Sequence, residues 1–341
     1  MKSLKHIFRL SLAALFACAF SGRSDAEDAA AFYKGKTVHF IVGVAVGGGF
    51  DAYARMIAPY LARELGSTVI VENVIGAGGL LALNRLYSAQ PDGLRLHISN
   101  ATPATLGQLL GRDNLKYDMT KFDHLGVVAA YPWVWLTGRD SGMNTFEAVT
   151  KPGLALRWGG TAPADGPADG AAITCAALKL ECKLVLGYRS SAEVALAMER
   201  SEVDTMYISD SSANAYVKSS GANPIASMAR VRSPLLPNTK TIFELAKLTP
   251  EQEWLIDFRA NLNDVGRLLV TTGGVPADRI AFLREAVRKS LTNPELIAEG
   301  EKSERNIRFQ SHEEALEIVR KILTGPTAEQ KKMVRDVLTY R

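Results

Sequence analysis

The sequence predicts an α/β protein with two lobes, each built on a doubly wound, mostly parallel sheet. Short apolar segments rich in β-branched residues alternate with amphipathic helical stretches, an order that places helices on both faces of a parallel sheet. The alternation occurs in two series, the second beginning near residue 150. Glycine-rich turns follow strands of the first series, at the strand ends where such sheets bind their ligands. We therefore expect the functional region to be a cleft between the two lobes.

The first series opens with Thr37–Val44, an almost unbroken apolar run that is typical of a strand covered on both faces. A glycine triplet follows at residues 47–49, and apolar residues then recur every four positions up to Leu65, as in an amphipathic helix. The unit then repeats, with strands predicted at Thr68–Val71 and Leu94–Ile98 and loops at Gly76–Gly79 and Ser99–Pro103.

The second series has the same character. Strands are predicted at Leu154–Trp158, Leu184–Tyr188 and Val203–Ile208, a loop at Gly159–Gly170, and helices at Ala171–Leu180 and Ser191–Arg200. The apolar stretch Leu125–Thr137 joins the two series. Arg267–Thr272 predicts a further strand, and mostly helical sequence follows from Ala277.

The order of the elements also predicts the domain boundaries. We expect residues 33–132 and 258–341 to form the first lobe and residues 133–257 the second. Segments near Tyr131–Leu136 and Phe258–Arg267 would then cross between the lobes and act as a hinge.

Residues 1–26 have the features of a secretory signal peptide. A basic start precedes the short apolar run Leu10–Phe20, and Ser24-Asp25-Ala26 is a small-x-small cleavage site. Leu15–Cys18 also resembles the lipobox of bacterial lipoproteins, so acylation of Cys18 is an alternative to a free mature chain. Both alternatives predict a periplasmic location, with or without a lipid anchor.

The net charge gives no reason to expect nucleic acid as a partner. The whole chain has 40 Lys and Arg against 36 Asp and Glu. The signal segment holds Lys2, Lys5, Arg9 and Arg23 against Asp25, so the mature chain has 40 − 4 = 36 basic and 36 − 1 = 35 acidic residues. A net charge of +1 gives no electrostatic basis for binding nucleic acid. We expect a monomer.

After cleavage only Cys175 and Cys182 remain, so a single intramolecular disulfide is possible in an oxidising compartment. On one continuous helix the two would lie about 10 Å apart along the axis, which is beyond disulfide reach. A helix that ends near Leu180 would allow the chain to turn back and bridge them. Two small buried thiols are the alternative.

Enzyme signatures are sparse, and we expect a binding protein without a metal or cofactor. The histidines stand alone, and the cysteines lack the spacing of a zinc site. The alternative is a dinucleotide-binding oxidoreductase, because Gly47-x-Gly49-x-x-Ala52 matches a dinucleotide fingerprint and Glu72 follows about 20 residues later. Against it, Asp51 in the first helical turn would repel a pyrophosphate.

Glycine-rich turns before helices suit a smaller anion. Their backbone N–H groups converge on bound negative charge, and the helix contributes its positive N-terminal end. We predict an anion site at residues 46–49 together with Ser99, Asn100 and Thr102, with Asp51 bonding the N–H groups that the ligand does not use.

The motifs in Val42–Gly93 resemble the Bug-type extracytoplasmic solute receptors of tripartite tricarboxylate transporters. They are, in order, Gly47-Gly48-Gly49-Phe50-Asp51 with Arg55, Leu65-Gly66, Val71-Glu72-Asn73, Gly76–Gly79 and Pro91–Gly93. Weaker similarity continues to about residue 298. The resemblance implies a type II periplasmic binding fold, a small carboxylate or dicarboxylate as ligand, and membrane permease subunits as partners. An alternative is a receptor that passes the same ligand to a sensor.

The resemblance also implies that the second lobe sets selectivity. Arg189 is expected to contact the distal end of the ligand, which would be a di-acid or an acid with a polar tail, because an arginine fork matches a carboxylate. Alternatively, it forms an exposed ion pair with Glu193. The predicted ligand-binding residues are Val46, Gly47, Gly48, Gly49, Phe50, Ala77, Gly78, Ser99, Asn100, Thr102, Thr161, Ala162, Tyr188, Arg189, Ser209 and Asp210.

Overall fold

A computed structural model describes residues 29–113, 115–130, 132–163 and 166–339. The predicted signal segment, including Cys18, lies outside the described residues, as does Tyr131 of one predicted hinge segment. The strands are β1 (Thr37–Val42), β2 (Thr68–Asn73), β3 (Arg95–Ser99), β4 (Asp123–Val127), β5 (Trp133–Thr137), β6 (Ala155–Gly159), β7 (Glu181–Val185), β8 (Thr205–Ser209), β9 (Asn223–Ser227) and β10 (Leu268–Thr271).

Helices pack around these strands. They are α1 (Gly49–Leu65), α2 (Leu80–Tyr87), α3 (Ala101–Leu110), α4 (Phe146–Val149), α5 (Gly166–Leu178), α6 (Ser191–Glu199), α7 (Asp210–Ser220), α8 (Ile242–Leu245), α9 (Pro250–Asn261), α10 (Ala277–Leu291), α11 (Pro294–Lys302), α12 (His312–Thr324) and α13 (Ala328–Val337). Short 3-10 helices lie at Ala77–Gly79 and Leu262–Val265. Among the described helices, none has both the length and the apolarity needed to cross a bilayer.

The strands form two five-stranded sheets with the same arrangement, and the predicted two-lobed α/β fold is confirmed. The first sheet has the order β2-β1-β3-β10-β4 and the second the order β7-β6-β8-β5-β9. In each sheet the strand in fourth place runs antiparallel to both of its neighbours. The pairings of β1 with β2 and β3, and of β6 with β7 and β8, are parallel.

The reversed strands bring their first residues to the edge of the sheet where the other strands end. Leu268 at the start of β10 pairs with Ser99 at the end of β3, and Trp133 at the start of β5 pairs with Ser209 at the end of β8. Residues at or just before the beginning of β5 and β10 therefore lie beside the loops that follow β3 and β8.

Three of the predicted segments differ in the structure. Leu125–Thr137 is not only a connection, because it contains most of β4 and all of β5, one in each sheet. The predicted loop Gly159–Gly170 is shorter, since α5 already begins at Gly166. The glycines there serve packing: a Cβ at Gly166 would lie 2.6 Å from the Trp133 ring, so the bare backbone allows the helix to approach β5.

The third difference is β7, which ends at Val185, before Tyr188 and Arg189. The chain turns back immediately after α5, with Lys179 in the left-handed region at φ 55°. Cys175 and Cys182 form a disulfide across this turn, with their Cα atoms 6.3 Å apart. The strand therefore begins earlier than its apolar residues indicate.

Replacing Cys175 and Cys182 together by serine should lower stability. The bridge closes a short loop, and the chain-entropy model assigns such a loop about 2–3 kcal/mol of unfolding free energy. We expect the unfolding free energy from urea titration to fall by that amount and the midpoint to move to a lower urea concentration, with ligand affinity unchanged because the bridge lies away from the cleft lining. Unfolding of the parent protein in excess dithiothreitol should match that of the double variant, and a parent unaffected by reductant would contradict the assignment.

Candidate functional site

The carboxyl edges of the two sheets face each other across a cavity of about 120 Å³. The first lobe lines it with Val44, Ala45, Gly48, Gly49, Phe50, Gly78, Asn100 and Arg267. The second lobe lines it with Trp133, Thr161, Pro167, Arg189, Ser190, Ser191, Ile208, Ser209 and Ser212. We call this cavity the cleft. Its position follows from the parallel strands, whose ends and following loops meet there.

Four helices begin at the cleft. They are α1 after Gly48, α3 after Asn100, α6 after Ser190 and α7 after Ser209. The first N–H groups of a helix have no partner within it, and the helix end carries partial positive charge. Four helix ends of this kind make the cleft electropositive without any charged side chain.

Three of these helix ends have no side-chain cap among the described residues. Neither Asn100 nor Ser209 bonds a backbone N–H as a cap, and Gly48 has no side chain. By contrast α8, α9, α12 and α13 all begin with complete capping boxes. Since buried N–H groups require partners, the uncapped ends are suited to an anionic ligand.

Asp51 secures the first glycine loop. Its carboxylate accepts hydrogen bonds from the Gly47 N–H at 3.0 Å, from the Asn73 side chain at 2.9 Å and from Arg55 Nε at 3.0 Å. Burial raises the pKa of Asp51, but the bonds from Arg55, Gly47 and Asn73 outweigh this effect and hold the pKa below its usual value. Asp51 does not cap α1, because the helix has no side-chain cap bond at its start; its carboxylate instead binds one N–H of the preceding loop.

Arg267 brings a positive charge into the first-lobe wall of the cleft. It directly precedes β10, so it lies beside the end of β3, and only 2% of its surface is exposed. Its guanidinium packs over the rings of Tyr53, 4.0 Å from the centroid, and Phe50, 5.4 Å from the centroid. These contacts are cation–π interactions, and they orient the charge toward the start of α1.

Trp133 is the first residue of β5 and lines the cleft from the second lobe. The fully buried Arg259 lies behind it, 5.0 Å from the centroids of both the Trp133 and Tyr207 rings. Arg259 donates to Asn263 Oδ1 at 2.8 Å and to the carbonyl oxygen of Gly166 at 2.9 Å. A second positive charge is thus held just beneath the cleft wall.

The remaining wall is apolar or hydroxylic. Val44, Phe50, Trp133, Pro167 and Ile208 supply apolar surface. Hydroxyl groups come from Thr161 and from the serines at the starts of α6 and α7. No acidic residue appears among the described residues that line the cleft, while two arginines do. The cleft therefore suits an anion with a short apolar body.

Arg189 lies at the rim, where its side chain is 86% exposed. Its Nε donates to Glu193 Oε1 at 2.7 Å, and its backbone N–H donates to Glu193 Oε2 at 2.7 Å. The side-chain bond from Arg189 lowers the pKa of Glu193. Of the two alternatives for Arg189, the structure shows the ion pair with Glu193.

Comparison with known proteins agrees with this geometry. Residues 53–304 match the family model described as the tripartite tricarboxylate transporter family receptor, TctC. The chain belongs to this family. It is 26% identical over 273 residues to a UPF0065 protein of Agrobacterium vitis, covering 78% of this chain and 74% of that one. It is 24% identical to a UPF0065 protein of Bordetella pertussis, covering 87% of each chain.

Solved structures show the same fold. The periplasmic binding protein BugD has a TM-score of 0.73 at 20% identity, with 89% of this chain and 97% of BugD covered. MatC of Rhodopseudomonas palustris, solved with bound malate, has a TM-score of 0.69 at 20% identity, with 89% and 99% covered. A further R. palustris protein, solved with adipate, has a TM-score of 0.70 at 17% identity, with 89% and 97% covered.

The cleft of this TctC-family receptor brings together part of the predicted site. Gly48, Gly49, Phe50, Gly78, Asn100, Thr161, Arg189 and Ser209 line it. Val46, Gly47, Ala77, Ser99, Thr102, Ala162, Tyr188 and Asp210 are not among its lining residues. The structure shows where two of these side chains lie instead. Val46 is 69% exposed, and the Thr102 hydroxyl donates to the carbonyl oxygen of Leu262 at 2.9 Å.

Asp210 lies on another side of the receptor's second lobe. Its Oδ2 accepts a bond from the Ser233 hydroxyl at 2.9 Å, and it lines a separate cavity with Arg230 and Asp257. Burial raises the pKa of Asp210. As the first residue of α7, it has its backbone near the cleft and its carboxylate directed elsewhere.

A small second cavity adjoins the cleft of the receptor and shares Val44, Phe50, Gly78 and Asn100 with it. Ser99 and His97 line this cavity from β3, where residues two apart face the same side. Complete burial lowers the pKa of His97 to about 3, so its ring stays neutral at physiological pH. His97 therefore adds no charge to the anion site.

Sequence reasoning missed Arg267 and Trp133. The predicted site residues follow the carboxyl ends of predicted strands. Arg267 and Trp133 instead lie at the beginning of a strand that runs antiparallel to its neighbours. Arg267 did carry a local signal, since it is a charged residue directly before the buried strand Leu268–Thr271. Strand direction, however, depends on pairing and is not encoded in a single segment.

Gly49→Val should weaken ligand binding by the receptor while leaving the fold intact. A Cβ at Gly49 would lie 3.6 Å from Arg267 Nη2 and 3.9 Å from the Ser212 hydroxyl, so the Cβ itself fits and the methyl groups of valine would occupy the gap between the lobes. We expect affinity for the best-bound acid of a panel of small carboxylates, measured by titration calorimetry, to fall by about tenfold or more.

Ala328→Val is the matched control, because it adds the same side chain at the first position of the exposed helix α13. Both variants should melt close to the parent protein. If Gly49→Val binds the acid as tightly as the parent protein does, the gap is not part of the ligand site.

Proposed function

We propose that this receptor is exported to the periplasm, captures a small organic acid in its cleft without transforming it, and delivers it to the permease subunits of a tripartite tricarboxylate-type transporter. The observation that carries the proposal is the charge of the cleft. Uncapped helix ends and the buried Arg267 meet there, and no described lining residue is acidic.

The chemistry of the cleft supports binding rather than catalysis. It offers hydroxyl and N–H donors, but the described lining residues include no histidine, cysteine or carboxylate that could act as a base beside a hydroxyl. General-base and nucleophilic catalysis both depend on such a group. Backbone donors in a buried site hold a carboxylate strongly because they are already oriented.

The ligand class is proposed from charge and size. Two arginines and several helix ends favour more than one negative charge, and the apolar walls favour a short hydrocarbon body. Small dicarboxylates combine these features. Malate and adipate, bound in two structures of the same fold, are the first candidates to test.

A thermal-shift screen tests the proposed function. We expect malate, succinate, adipate or citrate to raise the melting temperature of the purified mature protein, because a ligand that binds only the folded state stabilises it. Titration calorimetry should then show one site per chain, and nuclear magnetic resonance should recover the acid unchanged. Stabilisation by NAD and by no organic acid would reject the proposal in favour of a dinucleotide enzyme.

A growth experiment with a deletion strain distinguishes a role in transport from a role in sensing. A strain that lacks the receptor gene should fail to grow on the acid that the protein binds, and the permease genes should be required as well. Normal growth with a lost transcriptional response to the acid would instead assign the receptor to a sensor.

The two lobes are also joined directly beside the cleft. Glu304, which follows α11, accepts a bond from Asn214 of α7 at 2.7 Å and forms an ion pair with Lys218 of α7. Helix α11 packs on α1 in the first lobe, whereas α7 packs on the second sheet. These contacts would hold the lobes together in a closed arrangement.

Lys218→Ala should therefore favour opening of the ligand-free receptor. We expect a larger radius of gyration by small-angle scattering without ligand, compaction on adding the bound acid, and a loss in affinity of less than about tenfold, as for an exposed ion pair. Lys332→Ala removes a similar exposed pair on α13 and should change neither value. A parent protein whose radius of gyration is the same with and without saturating acid would contradict lobe closure.

A further inference from the structure

Gly49 of the first lobe and Ser212 of the second lobe border a gap in the cleft, and Arg267 lies beside it. One Cβ placed on Gly49 would contact both Arg267 Nη2 and the Ser212 hydroxyl. The first helical turns of α1 and α7 therefore lie close to each other and to the Arg267 guanidinium. Three sources of positive charge or hydrogen-bond donors therefore border one small space.

This arrangement favours an anion in the gap. The N-terminal end of α1 carries partial positive charge, and a buried arginine beside it adds a full charge of the same sign. Arg267 acts to lower the pKa of Asp210, whose carboxylate lines the other cavity and is bonded to Ser233 and to the Ser211 N–H. No acidic residue is among the described residues that line the cleft.

Arg267 is also held in place before any ligand arrives. The rings of Phe50 and Tyr53 stack on its guanidinium, and its backbone carbonyl accepts a bond from the Val128 N–H at 2.9 Å. A side chain restrained in this way loses little conformational entropy on binding, and its fork matches a carboxylate. Arg189, in contrast, is exposed and paired with Glu193.

We propose that Arg267 forms an ion pair with one carboxylate of the ligand at the gap between Gly49 and Ser212, and that this residue, not Arg189, makes the receptor select acids with two charges. The inference rests on the proposed function and names the side chain that binds the second carboxylate of the ligand. The other carboxylate is then left to the helix ends near Gly78 and Asn100.

The experiment compares each di-acid with its monoamide, which has nearly the same shape and one charge less. The probes are succinate, malate and adipate and their monoamides, titrated into the parent, Arg267→Gln and Arg189→Gln. We expect Arg267→Gln to lose affinity for the best di-acid by about thirtyfold or more, as for truncation of a buried charge partner. Its preference for di-acid over monoamide should disappear, whereas Arg189→Gln should lose less than about tenfold and keep the preference.

The preference for di-acid over monoamide distinguishes a role of Arg267 in ligand recognition from a role in stabilising the fold. If Arg267 only supports the fold, Arg267→Gln weakens both probes equally and the preference remains, which would overturn the inference while leaving the proposed function intact. A parent protein that binds neither di-acids nor monoamides would overturn the proposed function itself.

Ser212→Asp provides a second variant if Arg267→Gln does not fold. It places a carboxylate at the gap, on the first turn of α7 where an acid is favourable for the helix. We expect this variant to fold and to lose the di-acid preference, and Ser212→Asn, which has the same shape without charge, to keep it. A Ser212→Asp protein that still prefers the di-acid would equally overturn the inference.

Discussion

The hydrogen-bonding requirement of helix N-termini is the constraint on which this molecule depends. The first backbone N–H groups of a helix have no acceptor within it, and each needs a partner when it is buried. Several helices away from the cleft meet that requirement with Thr or Ser caps. At the cleft, the N-cap residues of α1, α3 and α7 make no such bond, although the first N–H of α7 donates to the Pro132 carbonyl oxygen and the second to the Asp210 carboxylate. The fold thus brings the starts of several helices together at one place between its lobes.

The two sheets explain why these helix ends converge. Parallel strands direct all their following helices to begin at the same edge, and two sheets that face each other by that edge bring both sets of helix ends to one cleft. A single antiparallel strand in each sheet adds a different kind of group. It delivers Arg267 from one lobe and Trp133 from the other, a guanidinium and an aromatic wall, to a site otherwise made from backbone.

The same logic separates positions that hold the site together from those that face a ligand. Asp51 and Asp210 are both acidic residues in the first turn of a helix that begins at the cleft. Asp51 is bonded to Arg55, Asn73 and the Gly47 N–H, and Asp210 to Ser233. Neither lines the cleft. Their carboxylates stabilise the loops, and the cleft keeps its positive field.

The sequence by itself determined the features that depend on residues close together in the chain, namely the strands, turns and helices of each lobe. The apolar run from Thr37, the glycine triplet and the four-residue stripe up to Leu65 predicted β1, the loop and α1, and the order of such units predicted two α/β lobes. Gly48, Gly49 and Asn100 were predicted at the cleft for the same reason, because a glycine or polar turn between a strand and a helix is a local pattern.

Tertiary structure decided the rest. Strand direction placed Arg267 and Trp133, and the close packing of Gly166 against Trp133 joins two segments far apart in the chain. The pairing of Arg189 with Glu193 was one of two outcomes open to the sequence. These features depend on contacts between residues far apart in the chain, and no local pattern of residue types specifies them.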